Sequence, residues 1–424
     1  MNAMRIMIVA GERSGDIYGG ELVAALRARI PELSAFGCGG EAMRGAGVET
    51  LEDAHRLSMA GITEVVTGLA RAWRALRRLA REAERRRPAL AVLIDFPDFN
   101  LRLAKRLRAL GIRVVYFVSP QIWAWRRGRI RQLRERVEKV LCIFDFEEKL
   151  YREAGVPVEY VGHPLLGRVR PRMTREQFFQ SAGLDPTVTT VALLPGSRRR
   201  EVAVHLPIML DAVARLQSRH RVQFVTAVAP SLDPEWMNSR FRGIELARPV
   251  AAGQSSGPAR RLTGGAKITR SKTLSRVEAL TRATYDALAY SDLALVASGT
   301  ATVEAAILGR PMVVVYRVSR LTWAAGKLLV KVPFYSMVNL LAGKAVVREL
   351  MQGEFTATKL AAAAEFLLDH PEARETMARE LAAVRARLGP GDAIERAADA
   401  VVRVLQPAPG GRLAPAASAR TAVR

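Results

Sequence analysis

Residues 293–316 read LALVASGTATVEAAILGRPMVVVY, and this stretch decides the fold class. It predicts a buried strand over Leu293–Ala297, a loop of small residues, a short helix over Ala301–Leu308 and, after Pro311, a second apolar strand. Two β-branched runs joined by a short helix are typical of neighbouring parallel strands, because a parallel pair needs a crossover connection. The stretch therefore predicts an α/β protein built on parallel sheet.

The loop within this stretch, Ser298, Gly299 and Thr300, is expected where the carboxyl end of a strand meets a helix N-terminus. Unpaired N–H groups and the helix dipole make such a place suitable for a phosphate. Glu304 lies one turn further on, within reach of neutral hydroxyls beyond that phosphate. We predict a nucleotide-sugar diphosphate site with Glu304 on the ribose hydroxyls. The alternative is an ordinary βαβ turn with a solvated glutamate.

The composition limits the classes of partner and compartment. A chain of 424 residues is long enough for two domains, each with its own core. It has 65 Lys and Arg against 41 Asp and Glu, a net charge of +24, which favours nucleic acid, anionic lipid or phosphorylated substrates. Cys38 and Cys142 cannot form a disulfide framework or a metal cluster, which predicts a reducing compartment. No apolar signal region precedes Ile6, and no uncharged stretch reaches the roughly 20 residues that span a bilayer.

The first half of the chain predicts six strands alternating with helices, with polar turns after several strands. The turn Gly11–Asp16 follows the first strand, but its glycines match neither the dinucleotide nor the P-loop fingerprint. Asp95 and Asp98 follow the strand that begins at Leu90, and two carboxylates at a strand end can form an acid/base site. We assign the chemistry to Asp98 and a turn role to Asp95. We expect His163 to be a hinge or packing residue.

Several stretches combine aromatic and apolar side chains with basic ones. Residues 69–87 predict an amphipathic helix with Trp73 and Leu76 on its apolar face, and a second such stretch carries Trp323 and Leu328. We predict that these four side chains face anionic lipid, because basic amphipathic segments and indole rings favour the membrane interface. The alternative is ordinary packing on the core. The same two readings apply to Trp123 and Trp125 beside Arg126: a wall against a lipid or sugar, or core tryptophans.

A second α/β half begins near Thr190. Its first strand ends at Gly196, Ser197 and Arg198, where a helix N-terminus and an arginine again favour an anion. Residues 249–282 are rich in Gly, Ser, Lys and Arg and predict a flexible surface insertion, without the aromatic residues that stacking on RNA needs.

Taken together, these motifs resemble the lipid-A-disaccharide synthase family. The similarity covers about residues 4–405 apart from the insertion, and the Trp-Ala-Trp-Arg and Pro-Asp-Phe-Asn runs are its most specific parts. The matching runs are Gly11–Asp16, Met59–Val65, Ile94–Asn100, Ser119–Arg126, Gly162-His163, Leu193–Arg198, Ala297–Glu304 and Asn339–Gly343.

The resemblance implies a GT-B glycosyltransferase, with two Rossmann-like domains whose parallel sheets face across a cleft. The expected domains are residues 1–167 and 168–375. C-terminal helices over 376–406 would pack back on the first domain or be exchanged in a homodimer, and a disordered tail over 407–424 would follow. It also implies the reaction: UDP-2,3-diacylglucosamine and 2,3-diacylglucosamine 1-phosphate give a β-1,6 disaccharide 1-phosphate and UDP. Members act at the cytoplasmic face of the Gram-negative inner membrane, and neither a nucleic-acid partner nor a metal or other cofactor is expected.

Residue roles follow from the resemblance together with the strand-end placement. Asp98 would accept the proton of the acceptor 6-hydroxyl, and Arg198 with the loop dipoles would stabilise the developing diphosphate. The expected UDP-binding residues are Gly196, Ser197, Ser298, Gly299, Thr300, Glu304 and Asn339. The residues expected to face the cleft on the acceptor side are Ser14, Gly15, Asp16, Trp123, Trp125 and Arg126.

Two other functions compete with this reading. A UDP-N-acetylglucosamine 2-epimerase-like enzyme would share the fold and donor loop but would not need lipid-facing segments. A basic RNA- or membrane-binding protein on a GT-B scaffold would fit the charge, but it would not explain carboxylates at strand ends. Salt-sensitive RNA binding without UDP binding would favour the latter.

Overall fold

A computed structural model describes residues 4–54, 57, 65–120, 128–226, 228–229, 232–241, 283–319, 323 and 333–406. The chain divides into two compact units, residues 1–167 with 388–424 and residues 168–387. The predicted insertion over 249–282 and the tail over 407–424 lie outside the described residues.

The described part of the first unit is built on a seven-stranded parallel sheet in the order β3-β2-β1-β4-β5-β6-β7. Its strands are β1 Arg5–Ala10, β2 Ser34–Gly39, β3 Glu49–Asp53, β4 Leu90–Ile94, β5 Val114–Phe117, β6 Lys139–Cys142 and β7 Val158–Tyr160. Its first helices are α1 Arg13–Arg29, α2 Glu41–Gly45, α3 Val65–Arg86, α4 Pro97–Ala109, α5 Arg129–Arg136 and α6 Asp145–Glu153.

The second unit has, in its described part, a five-stranded parallel sheet in the order β12-β11-β10-β8-β9. Its strands are β8 Thr189–Leu194, β9 Val222–Thr226, β10 Leu293–Ala297, β11 Met312–Tyr316 and β12 Arg348–Met351. Its helices are α7 Arg175–Ala182, α8 Arg199–Gln217, α9 Pro234–Phe241, α10 Thr284–Tyr290, α11 Thr300–Ile307, α12 Met337–Ala342, α13 Ala357–Asp369 and α14 Pro371–Ala386.

The inner strands β4 and β10 are apolar and fully buried, as expected for parallel strands that helices cover on both faces of a sheet. The strand order reverses between β1 and β4 in the first unit and between β8 and β10 in the second. Ligands of open α/β sheets bind outside the carboxyl ends of the strands at such reversal points. The loops after these four strands are therefore where a site is expected.

The last helix, α15 (Ala393–Leu405), belongs to the first unit and packs on α1. Arg29 of α1 pairs with Glu395 at 2.8 Å and with Asp399 at 2.6 Å. The return to the first unit begins at Leu388, later than the residue 376 expected from the sequence, because α14 stays with the second unit.

The packing role predicted for His163 is confirmed. Its side chain is buried, its Nδ1 accepts a hydrogen bond from the backbone N–H of Leu165 at 3.2 Å, and burial lowers its pKa to about 4. A neutral imidazole held in this way is part of the core.

Candidate active site

The turn after β4 has an unusual backbone. Asp95 and Phe96 have φ of 47° and 49°, the left-handed region that costs a non-glycine residue about 1–3 kcal/mol. Two side chains hold the turn. The Nδ2 of Asn100 donates to the carbonyls of Ile94 at 3.1 Å and Asp95 at 2.8 Å, and the hydroxyl of Tyr116 donates to the carbonyl of Asp95 at 2.5 Å. Conformations of this kind persist where the surroundings impose them, which is common at active sites.

The turn after β1 is pinned to the turn after β4. A Cβ added to Gly11 would lie 2.1 Å from the ring of Phe96, and one added to Gly15 would lie 3.3 Å from the Cβ of Ala10. These glycines allow close packing between the two turns and between α1 and β1. Gly15 is buried and Ser14 is half-buried, and their place on the acceptor side stays a prediction.

Asp16 was also expected on the acceptor side, and the structure corrects this. Its buried carboxylate accepts hydrogen bonds from the backbone N–H groups of Gly40 at 2.5 Å, Ala42 at 3.0 Å and Met43 at 3.1 Å. A carboxylate in this position stabilises the start of α2 by satisfying its free N–H groups. Asp16 is thus a structural residue.

The two carboxylates of the β4 turn lie in different environments. The side chain of Asp98, in the first turn of α4, is 63% exposed and forms an ion pair with Arg129 of α5, which is only 7% exposed. Burial, with the like charge of Glu12, raises the pKa of Asp95 to about 6. A carboxylate with a pKa near the working pH is the better general base. Asp95 is therefore a second candidate for the base beside Asp98, which the sequence favours.

The loop after β8 presents its N–H groups to a side chain of its own helix. One carboxylate oxygen of Glu201 accepts from the backbone N–H of Ser197 at 3.0 Å and of Arg198 at 3.3 Å, and the other accepts from the Arg198 guanidinium at 3.2 Å. Gly196 has φ of 135°, and a Cβ there would lie 2.7 Å from the Cβ of Glu201. The Arg198 side chain is 70% exposed. A phosphate would replace the Glu201 carboxylate here or use the exposed donors of Arg198.

The loop after β10 is shaped by glycine and by two hydroxyls. Gly299 has φ of 152°, Ser298 Oγ donates to the carbonyl of Tyr335 at 3.1 Å, and Thr302 Oγ1 donates to the carbonyl of Gly299 at 2.8 Å. Thr300 begins α11, and both Gly299 and Thr300 are exposed. The predicted donor loop is therefore accessible at a helix N-terminus.

Glu304 lies on α11 behind this loop and is half-buried. Burial raises its pKa to about 7, and Arg168 together with a hydrogen bond from Tyr285 opposes that shift. Sequence reasoning missed both partners, because they lie on other elements and no spacing pattern links them to Glu304.

Asn339 does not line the donor site as predicted. It is 1% exposed, and its Nδ2 donates to the carbonyl of Val347 and to Glu349, each at 2.8 Å. Its Oδ1 accepts from the N–H groups of Val346 at 2.8 Å and Val347 at 2.9 Å. These bonds use its amide to hold the connection between α12 and β12.

The side chains predicted to face lipid divide into two groups. Trp73 is 45% exposed, with the guanidinium carbons of Arg77 and Arg106 at 6.0 and 5.5 Å from its ring centroid. Leu76 is 3% exposed in the core, so its membrane-facing prediction is wrong. Trp73 alone remains a candidate on α3.

The other aromatic predictions concern the second stretch and the tryptophan run. Trp323 is half-buried, and its ring packs against Tyr335 with centroids 5.2 Å apart, beside the loop after β10. Leu328, Trp123, Trp125 and Arg126 lie outside the described residues.

An arginine-rich groove of about 1020 Å³ runs along α3. Two of its acidic residues form ion pairs: Arg78 pairs with Glu52 at 3.2 Å, and Glu82 pairs with Arg85 and Arg86, which do not line the groove. The lining residues are Glu52, Leu57, Arg71, Arg74, Ala75, Arg77, Arg78, Arg81 and Glu82. Among the helices that the structure describes, none combines the length and apolarity needed to cross a bilayer.

Comparison with known proteins decides the family. A sequence profile described as lipid-A-disaccharide synthetase matches residues 6–239 and 265–397. The lipid-A-disaccharide synthase of Myxococcus xanthus (strain DK1622) is 44% identical over 407 residues, covering 96% of this chain and 99% of the relative. That of Solibacter usitatus (strain Ellin6076) is 44% identical over 403 residues, covering 95% and 98%.

The chain belongs to the lipid-A-disaccharide synthase family. As a lipid-A-disaccharide synthase it is a glycosyltransferase of lipid A biosynthesis, and the epimerase reading is not favoured. A UDP-GlcNAc 2-epimerase from Neisseria meningitidis, solved with UDP-GlcNAc, shares the fold: its TM-score is 0.56 at 13% identity, covering 94% of this chain and all of that one. The profile is interrupted over 240–264, which overlaps the first part of the predicted insertion.

Proposed function

We propose that this synthase transfers 2,3-diacylglucosamine from UDP to the 6-hydroxyl of 2,3-diacylglucosamine 1-phosphate, giving a β-1,6 disaccharide 1-phosphate and UDP. Family membership supports the substrate class. The observation that carries the chemistry is the carboxylate pair of the β4 turn, in which Asp95 has a pKa of about 6 and Asp98 is held by Arg129. Two carboxyl groups in unlike environments are a recurrent basis for acid/base assignment.

The acceptor oxygen attacks the anomeric carbon from the face opposite UDP, and the bond from that carbon to the diphosphate oxygen breaks. The acceptor proton passes to a carboxylate of the β4 turn. We assign this role to Asp95, with Asp98 as the competing candidate from the sequence. The electron pair leaves with UDP, whose charge Arg198 and the N–H groups at the loops after β8 and β10 stabilise. The ribose hydroxyls donate to Glu304.

The experiment that tests the proposal is turnover of the two purified substrates in detergent micelles, with EDTA added so that dependence on a divalent cation is also measured. We expect UDP release that requires the acceptor and yields a disaccharide. UDP binding with no acceptor-dependent release would contradict the transferase assignment. Conversion of the donor sugar at C2 would restore the epimerase reading.

We further propose that the enzyme acts as a peripheral protein on the cytoplasmic face of the inner membrane. The exposed Trp73, flanked by Arg77 and Arg106, and the arginine-rich groove on α3 support this assignment. Sedimentation with vesicles should show binding that needs anionic lipid and weakens with salt. Trp73→Ala should weaken binding, while Phe366→Ala, an exposed aromatic residue on the second unit, should leave it unchanged.

A homodimer that exchanges α15 is a related proposal. The ion pairs of Arg29 with Glu395 and Asp399 would then form between two chains with the same geometry. Light scattering of the full chain should give twice the monomer mass, and a monomer mass at all concentrations would contradict it.

A further inference from the structure

His205 lies on α8, one turn beyond Glu201, and its side chain is fully buried. Its Nδ1 lies 2.8 Å from the carbonyl oxygen of Pro195, which follows β8 and precedes Gly196. Its Nε2 accepts a hydrogen bond at 3.0 Å from the backbone N–H of Arg317, directly after β11. The imidazole therefore connects the segments that follow two different strands.

The partners of His205 define its tautomer. Because an amide N–H can only donate, Nε2 carries no proton, and the ring proton on Nδ1 is donated to the Pro195 carbonyl. The carbonyl oxygen of Arg317 also lies 3.2 Å from Nε2. A proton on Nε2 would serve that oxygen but would leave the Arg317 N–H without its acceptor. The neutral ring with its proton on Nδ1 therefore satisfies both segments.

The two segments that His205 connects lie on either side of β10. In the described part of the second sheet, β10 pairs with β8 along one edge and with β11 along the other. The backbone N–H of Ser298, the first residue after β10, donates to the carbonyl of Val315 in β11 at 2.9 Å. The predicted donor loop thus begins between the two segments that His205 holds.

The ring of His205 is also packed from the side. Its centroid lies 5.7 Å from that of Tyr316 and 5.5 Å from that of Phe355. The guanidinium of Arg317 donates to the carbonyl of Gln352 at 2.9 and 3.1 Å and to the carbonyl of Phe355. These contacts fix the imidazole, and through it the Pro195 carbonyl, relative to the strands β11 and β12.

Helix α8 thus holds the loop after β8 through two side chains of opposite kind. The Glu201 carboxylate accepts from the N–H groups of Ser197 and Arg198, whereas His205 donates to the carbonyl of Pro195. A phosphate is an acceptor, so it can replace the carboxylate but not a donor. The bond from His205 therefore persists when an anion binds to the loop.

We propose that His205 is a positioning residue of the donor site: its imidazole connects Pro195 to Arg317 and so holds the loop after β8 where the diphosphate of a nucleotide sugar binds. This inference rests on the donor-site part of the proposed function. A misplacement of about 1 Å in a binding group can lower activity by as much as about 10²-fold. Loss of the bond to Pro195 should therefore weaken nucleotide binding and leave the acceptor unaffected.

The test is calorimetric titration of the full-length protein with UDP, together with steady-state turnover of both substrates. His205→Phe keeps a planar ring beside Tyr316 and Phe355 but removes both hydrogen bonds. UDP affinity should fall about tenfold and the KM of the donor should rise by a similar factor, while the KM of the acceptor stays unchanged. A variant that is only less stable would behave differently, because a folded fraction above one half changes the apparent affinity by less than about twofold.

A rescue variant and a matched control complete the design. His205→Asn places an amide N–H near the position of Nδ1, so it can still donate to Pro195 and should recover most of the UDP affinity. Thr190→Val is the control, because the Thr190 hydroxyl donates to the carbonyl of Val188 at 3.1 Å and accepts from Gln223 Nε2 at 2.9 Å. This change removes two hydrogen bonds at the start of β8, opposite the edge where α/β sheets bind ligands, and should leave UDP affinity unchanged.

Unchanged UDP affinity in His205→Phe would overturn the proposal, as would an equal loss in Thr190→Val or a parallel rise in the KM of the acceptor. If His205→Phe does not fold, His205→Asn is compared with His205→Gln, whose longer amide reaches Arg317 but not Pro195. The Asn variant should bind UDP more tightly, and equal or reversed affinities would overturn the proposal. If the parent protein does not bind UDP, the donor site itself is contradicted; if the parent binds and the variants match it, only the role of His205 is.

Discussion

The turn after β4 in the first unit and the loop after β8 in the second hold functional groups by opposite means. Asp95 and Phe96 adopt left-handed conformations without glycine, and Asn100 and Tyr116 fix them in place. The β8 loop uses Gly196 at its positive φ and leaves Arg198 exposed, with its N–H groups on Glu201. A catalytic base must be held in one position relative to the substrate. A loop that binds and releases a diphosphate needs N–H groups that can change partner, here from the Glu201 carboxylate to the phosphate.

The largest effect is expected from removing the Asp95 carboxylate in the turn after β4. Asp95→Asn should lower turnover by about 10²–10⁴-fold, because it removes the proton acceptor while keeping the side-chain shape. Asp98→Asn should lower it less, since its carboxylate is exposed and paired with Arg129. Steady-state turnover of both variants with both substrates measures this. The reverse ranking would return the base to Asp98.

The next effect tests whether the turn depends on close packing. Gly11→Ala would place a Cβ 2.1 Å from the Phe96 ring, so the turn must shift, with a loss of about 1–3 kcal/mol in the free energy of unfolding. Gly45→Ala is the control, because a Cβ there meets nothing within 4 Å. Denaturant unfolding of both variants checks the difference. Equal stability would mean that the Phe96 ring moves aside without lowering the free energy of unfolding.

A smaller effect is expected from the charge of Glu12 on the pKa of Asp95 in the turn after β4. The like charge of Glu12 contributes to the raised pKa of Asp95, so Glu12→Gln should move the acid limb of the pH–rate profile to lower pH by less than about one unit. Below this limb Asp95 is protonated and cannot act as a base. Glu32→Gln, an exposed glutamate before β2, is the control and should leave the limb in place. If the acid limb stays in place in both variants, the charge of Glu12 does not influence the pKa of the base.

The smallest effect concerns the loop after β8, whose N–H groups are bound by Glu201. Glu201→Gln weakens the competitor for the N–H groups of Ser197 and Arg198, because a neutral amide accepts less strongly than a carboxylate. UDP should then bind a few-fold more tightly, as measured by calorimetry at fixed pH. Weaker binding would show that Glu201 orders the loop for the nucleotide and does not compete with it.

The sequence predicts the secondary-structure elements of this protein better than the roles of its polar residues. The strand Leu293–Ala297 is confirmed with the same bounds, and the following helix is Thr300–Ile307 where Ala301–Leu308 was expected. Apolar runs and periodicity are local properties, so they can be read from the chain alone.

Polar residues within motifs are harder, because their partners come from the tertiary structure. Asp16 and Asn339 satisfy backbone groups that no local pattern connects to them, and Leu76 turns to the core on a helix whose arginines suggest a surface. Tyr285 and Arg168 reach Glu304 from other elements. The chemical role of a side chain depends on what buries it and what it bonds, and neither is local.

The chain rejoins the first unit only at Leu388, and this has a consequence for its biosynthesis. The partners of Arg29 on α15 lie as many as 370 residues further along, and the N–H of His163 donates to the carbonyl of Leu388 at 2.7 Å. During translation, α1 therefore leaves the ribosome long before the helix that covers it. The nascent first unit keeps an uncovered face until almost the whole chain is made, which makes it a substrate for chaperones and proteases during that interval.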